Sequence, residues 1–190
     1  MSKAVLALDF DGVLHPAGDA VFVDFSRPAW ELSMQLRTQG RFVWLDQLRE
    51  ALEGTNVHVL VHSTWRRRLT DATMRELLGP EVGSRLIMTD HWIDPQRRRD
   101  LSHAGYIYEA LSIWQEQVGA LESLCVLDDR PELFVSDGEL LRLWHPTYIW
   151  TSSDRGLNDA SVQQILRDWA TACHHAERLE ATSSSRPVCE

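Results

Sequence analysis

Leu6-Ala7-Leu8-Asp9-Phe10-Asp11-Gly12-Val13-Leu14, near the amino terminus, joins an apolar run to two carboxylates two residues apart and a glycine. The apolar run, Ala4 to Leu8, is too short for the core of a helix and suits a strand buried on both faces. Its acids then fall at the carboxyl end of the strand, the edge where open parallel sheets bind ligands. Gly12 lets the chain turn away sharply. Carboxylates this close repel each other, so a proton, a cation or full exposure must relieve them. A solvated strand-to-loop junction carrying two surface acids fits the same residues equally well.

Outward from this stretch, further apolar runs end in polar residues. Val57 to Val61 closes in His62-Ser63-Thr64-Trp65-Arg66, Ser84 to Met88 in Thr89-Asp90, Leu121 to Leu127 in Asp128-Asp129-Arg130, and Leu140 to Trp144 in His145. Helical spacing lies over Phe42–Leu52, Leu69–Leu78 (stopped by Gly79-Pro80), Tyr106–Val118 and Asp159–Leu179. Residues 15 to 40 read as irregular, with a loop or short hairpin over Val21–Phe25 and a helical turn after Pro28. The arginine-rich segment 91 to 102 reads as a loop, as does 145 to 158 with its Gly156-Leu157 turn. Strands alternating with helices predict an α/β fold: an open, mostly parallel five-stranded sheet sandwiched by helices. Residues 1–180 form one domain in this reading, and the Ser-rich tail 181–190 is expected to be disordered.

The 190 residues suffice for one full core, and 44% hydrophobic content is ordinary for a globular chain. No apolar run approaches bilayer length and the amino terminus lacks a signal-peptide layout, so no membrane partner is expected. Cys125, Cys173 and Cys189 have neither metal-ligand spacing nor an even count for disulfides. A reduced, cytoplasmic protein is the expectation. The formal net charge of −9 argues against sequence-blind nucleic-acid binding over a broad face. Lys3 is the only lysine, and arginines cluster at 66–68 and 97–99.

Asp9, Asp11, Asp128 and Asp129 would bring four carboxylates to neighbouring strand ends. Hard oxygen donors that lack a countercharge point to Mg²⁺, which leaves room for phosphate oxygens. Ser63 offers a hydroxyl to a phosphoryl oxygen, and amides at the following turn can assist. Trp44, Trp114 and Trp169 read as core residues. Trp65 reads equally as core or as a wall of the site. His58 and His62 need no metal to explain them, His174-His175 reads as a solvated helix end, and Arg67 and Arg68 read as surface.

Asp9-Phe10-Asp11-Gly12-Val13-Leu14 resembles the first motif of the haloacid dehalogenase-like (HAD) phosphohydrolase superfamily. Val59 to Ser63 resembles its second motif and Val126 to Asp129 its fourth, in the family's order. The resemblance implies Asp9 as nucleophile and Asp11 as general acid and base. It implies Ser63 as phosphoryl holder, and Asp9, the Asp11 carbonyl, Asp128 and Asp129 as Mg²⁺ ligands. Thr64, Trp65 and Arg66 fall where substrate would be met. An aspartate at position 11 favours phosphate chemistry over dehalogenation in this superfamily. The third motif departs from the pattern: its lysine is missing, and Arg99 and His103 are equal candidates for the role, ahead of Arg97 and Arg98.

Ser63-Thr64-Trp65-Arg66, Leu127-Asp128-Asp129, Gly156-Leu157 and Trp169 further resemble the small, nearly capless members, including the HAD domains of Swiss Army Knife RNA repair systems. The implied activity is a Mg²⁺-dependent phosphatase. Its implied partner is a phosphorylated substrate, either a small molecule or a nucleic-acid end met by Arg66 and Arg97 to Arg99. A non-catalytic module that binds metal and phosphate is the competing reading. The oligomeric state stays open.

Overall fold

The structure, a computed structural model, describes residues 3–18 and 23–184, the last eight as backbone alone. Four parallel strands, β1 (Ala4–Leu8), β2 (His58–Val61), β3 (Ser123–Asp128) and β4 (Thr147–Trp150), form one sheet in the order β2-β1-β3-β4. The chain leaves β1 for β2 on one side and returns to β3 on the other. Strand order therefore reverses between β1 and β3, the place where open α/β sheets form a ligand crevice.

Among the described residues, six α-helices accompany the sheet: α1 (Ala29–Thr38), α2 (Leu45–Leu52), α3 (Asp71–Gly83), α4 (Pro95–Asp100), α5 (His103–Val118) and α6 (Ala160–Ser184). Strand side chains alternate between two layers. Leu6, Leu8, Val59, Val61, Cys125 and Leu127 pack with the apolar faces of α1, α2, α3 and α6. Val5, Ala7, Leu60, Leu124 and Val126 pack with α5 and with the 3-10 turns Pro131–Phe134 and Gly138–Trp144. Each enclosed leucine stabilises the fold by about 1.5–3 kcal/mol. That burial, more than helix propensity, holds helices as short as α2.

The sheet has four strands, not the expected five. Ser84–Met88 makes only one bridge, Leu86 to Val59, before the chain turns away. The Asp71 carboxylate causes that turn, because Oδ2 accepts the Thr89 amide and, at 2.7 Å, the Asp90 amide. Leu140–Trp144 is not a strand but part of a 3-10 turn. Leu141 is buried while Leu140 and Leu143 face solvent, a period near three. The fourth strand lies just beyond, in a segment expected to be loop, and its half-exposed edge position masked it.

The irregular stretch after β1 contains the full helix α1, whose Leu32 and Leu36 join the core. Val21 and Phe22 of the expected hairpin lie outside the described residues, and Val23 and Asp24 form no strand. The expected 91–102 loop contains α4, which starts after Asp94, whose Oδ1 accepts the Gln96 and Arg97 amides. Gly79, at φ +76, breaks α3 where Gly79-Pro80 was read as a stop. The backbone of α6 continues to Ser184, so the first residues of the expected tail are helical, and 185–190 lie outside the described residues. No helix among the described residues is long and apolar enough to cross a membrane.

Candidate active site

Leu8 pairs with Val61 on one side and Leu127 on the other, so Asp9, His62 and Asp128 come level at the carboxyl edge of the sheet. Backbone bonds carry the register one step further. The Asp9 N–H donates to the Leu127 carbonyl at 3.0 Å, and the His62 N–H to the Leu8 carbonyl at 3.0 Å. His103 is the first residue of α5, whose start is capped by Ser102 Oγ accepting the Gly105 N–H at 3.1 Å. Asp9, His62, His103 and Asp128 are all buried, and one donor atom from each lies within 4.8 Å of the others.

Arg66 fixes the two histidine-bearing segments together. Its Nη1 donates to the carbonyls of His62 at 2.5 Å and Ser63 at 3.1 Å, and its Nη2 to that of Leu101 at 2.8 Å. The guanidinium lies over the Tyr106 ring, 4.6 Å from its centroid. Burial lowers its pKa to about 10, which leaves it charged at neutral pH. Arg66, expected at the substrate, is 2% exposed and braces the backbone beneath it.

The carboxylates at the centre are short of partners. Both Asp9 oxygens, Asp128 Oδ2 and Asp129 Oδ1 are buried without a hydrogen bond of normal geometry among the described residues. Burial, then the Asp128 charge, raises the Asp9 pKa well above the usual carboxylate range, and the nearby Ser63 hydroxyl offsets this only in part. Burial alone would raise Asp128 too, but hydrogen bonding from His103 and the Arg130 amide, at 2.8 Å, outweighs it and holds the carboxyl low. Burial drives the His62 imidazole down to about 3 and lowers that of His103. At both positions burial therefore favours the neutral ring.

Asp11 sits at the mouth of the site. Trp65 Nε1 donates to its Oδ2 at 2.9 Å, and His15 Nε2 lies 3.0 Å from its Oδ1. Burial acts to raise its pKa, but these two partners prevail and lower it. Gly12, at φ +73, packs so closely on Asp129 that a Cβ would overlap the carboxylate. The Thr151 hydroxyl donates to the Gly12 carbonyl at 2.9 Å and secures the turn. Gly156, at φ +43, similarly leaves no room for a Cβ beside the Trp44 ring, and the Leu157 N–H donates to the Val13 carbonyl at 3.0 Å. The late Gly-Leu pair thus closes the chain onto the loop after β1.

A cleft of about 490 Å³ opens over this edge, lined by Asp11, Thr64, Trp65, Asp129, Phe25 and the arginines 41, 67, 68 and 130. Trp65 is both core and wall: it packs edge-on to Phe10, Phe25 and Phe42 while bonding Asp11. Ser63 is fully buried at the start of the turn Thr64–Arg67. The two candidates for the lysine role lie in different surroundings. His103 Nδ1 lies 3.6 Å from Asp128 Oδ2, whereas Arg99 is exposed on α4 with no ion pair among the described residues. Arg97 pairs with Glu109 at the surface, and Arg98 pairs with Asp71 and Asp90 beneath α4.

Sequence reasoning missed His15, His62, Arg41 and Arg130, and placed Arg67 and Arg68 merely at the surface. His62 was findable, because it follows β2 as Asp9 follows β1. Arg130 adjoins the paired acids. His15 and Arg41 carried no local signal.

A family model described as the HAD domain in Swiss Army Knife RNA repair proteins matches residues 5–162. No curated protein and no solved structure matches the chain.

Proposed function

We propose that this chain, which belongs to the family of HAD domains in Swiss Army Knife RNA repair proteins, is a Mg²⁺-dependent phosphatase that works through an aspartyl-phosphate on Asp9. The observation that carries the reading is the enclosure of Asp9 beside Asp128 at the strand-order reversal, with three of their four carboxylate oxygens lacking a hydrogen bond of normal geometry among the described residues. Such oxygens fit a hard divalent cation. Asp9, the Asp11 carbonyl, Asp128 and Asp129 would hold Mg²⁺, which when bound offsets the charge of carboxylates and phosphate.

In the first step an Asp9 oxygen forms a bond to phosphorus as the ester P–O bond breaks, and Asp11, in the protonated form that its His15 and Trp65 partners disfavour in the free protein, gives its proton to the leaving oxygen. In the second, Asp11 takes a proton from water as that water attacks phosphorus and frees the Asp9 carboxylate. Ser63 holds a phosphoryl oxygen throughout. Trp65 and His15 orient the Asp11 carboxyl, and Thr64 lines the approach. The test is turnover of a generic aryl phosphate with and without Mg²⁺ by wild type and Asp9→Asn. Mg²⁺-dependent hydrolysis that the substitution abolishes is the expected result, and equal rates for both proteins would remove Asp9 as nucleophile.

The arginines around the cleft favour a nucleic-acid end as the substrate. Arg41, Arg67, Arg68 and Arg130 surround it with Phe25 and Trp65, a pairing of cations and aromatic faces suited to phosphates and bases. Higher turnover on a phosphorylated oligonucleotide than on the matching mononucleotide is expected. The competing reading, a module that binds metal and phosphate without turnover, draws on the 1% exposure of Asp9. Phosphate binding with Mg²⁺ but no hydrolysis across a phosphate panel would favour it.

A further inference from the structure

We propose that Asp9, His62, His103 and Asp128 form a site for a divalent transition ion of the Zn²⁺ class, with two imidazoles and two carboxylates as ligands. His62 Nδ1 and His103 Nδ1 are 3.2 Å apart, and Asp128 Oδ2 is 3.8 Å from the first and 3.6 Å from the second. Ligands at about 2.0–2.2 Å from a tetrahedral ion stand about 3.3–3.6 Å from one another, so these three atoms already span one face of such a polyhedron. Asp9 brings a fourth donor atom into the same cluster.

Two further observations point to an ion. Among the described residues, both Asp9 oxygens and Asp128 Oδ2 are buried without a hydrogen bond of normal geometry, a costly arrangement that a cation relieves. The two Nδ1 atoms face each other at hydrogen-bond distance, so they cannot both carry a proton, and at least one presents a lone pair. The surroundings hold the set in place. Arg66 ties the backbone of His62 to the segment before His103, and the Phe134 ring packs against both imidazoles.

Imidazole distinguishes this site from an all-oxygen Mg²⁺ site. Mg²⁺ prefers oxygen donors and retains water, whereas imidazole nitrogen favours later transition ions. The inference stands on the donor set and not on the phosphatase reading. Asp9 and Asp128 are also the proposed Mg²⁺ ligands, so an ion held by the two imidazoles competes with Mg²⁺ for these carboxylates.

The test is a Co²⁺ titration of the full chain after dialysis against a chelator. One equivalent should bind and give the intense visible absorption of tetrahedral Co²⁺. Equimolar Zn²⁺ should bleach the band, and Mg²⁺ in about hundredfold excess should not. His62→Asn and His103→Asn, checked for folding by circular dichroism, should each weaken Co²⁺ binding at least about tenfold. If either variant fails to fold, proton NMR of the wild-type Co²⁺ protein reads the same ligands through two hyperfine-shifted imidazole N–H signals. Failure to bind one equivalent, the pale spectrum of six-coordinate Co²⁺, or variants that bind as wild type does would overturn the site. Loss of Mg²⁺-dependent turnover would bear on the phosphatase reading alone.

Discussion

Arg66 Nη2 donates to the Leu101 carbonyl at 2.8 Å and so joins the turn after β2 to the segment before α5. With the bonds to His62 and Ser63 it forms a buried clamp that only a forked cation can make. Arg66→Ala should lower stability by about 2–4 kcal/mol in urea unfolding, and Arg66→Lys should recover little of it. Arg99→Ala, at an exposed position, should stay within about 0.5 kcal/mol. Equal losses at the two positions would contradict the clamp.

Asp9→Asn removes an enclosed carboxylate that, among the described residues, has no hydrogen bond of normal geometry. Stability in chelator should rise by about 1–3 kcal/mol, seen as a higher Tm, although the same change is expected to abolish turnover. A lower Tm would mean that Asp9 makes a stabilising contact in the free protein.

His62 gives the metal-free protein an acid sensitivity. Above pH about 6.5 the imidazole is neutral both folded and unfolded. Below that value the unfolded chain takes up a proton that the folded site refuses until about pH 3. Stability should therefore fall as pH drops through this window, with a contribution approaching about 1.4 kcal/mol per pH unit from this residue. Urea unfolding of wild type and His62→Gln in chelator isolates that contribution. Parallel pH profiles for the two proteins would exclude it.

Gly12 and Gly40 share a left-handed backbone, at φ +73 and +72, but only Gly12 abuts a carboxylate. Alanine at either should cost about 1 kcal/mol of backbone strain. Gly12→Ala should cost more and also weaken Mg²⁺ binding, because it displaces Asp129. Matched thermal unfolding in chelator and Mg²⁺ titration compare the two variants, and indistinguishable results would argue against a role for the close approach.

Arg67→Ala with Arg68→Ala should weaken binding of a phosphorylated oligonucleotide and flatten its salt dependence by up to about two phosphate contacts. Binding isotherms at several salt concentrations read this directly. An unchanged slope would place the strand elsewhere.

The strands bearing Asp9 and Asp128 were legible because burial on both faces leaves an unbroken apolar run, and register then brings their carboxyl ends level. β4 was hidden by its edge position, where Tyr148 and Trp150 stack with each other partly in solvent and the run looks mixed. The site divides in the same way. Residues adjoining strand ends, Asp9, Ser63 and Asp128, could be read from local pattern. Arg41 and His15 reach Asp11 from a loop and a turn, and no sequence spacing encodes that approach. The contrast between Arg99 and His103 depended on which way a short unread helix, α4, turned its side chains.

β1 is bonded along both edges, whereas β2 and β4 stand at the margins of the sheet. Loosening of this molecule therefore works inward, and amide deuteration should reach Leu6 and Leu8 last. Fraying of α6 or of the outermost strand costs the protein its borders well before it disturbs the backbone that carries Asp9.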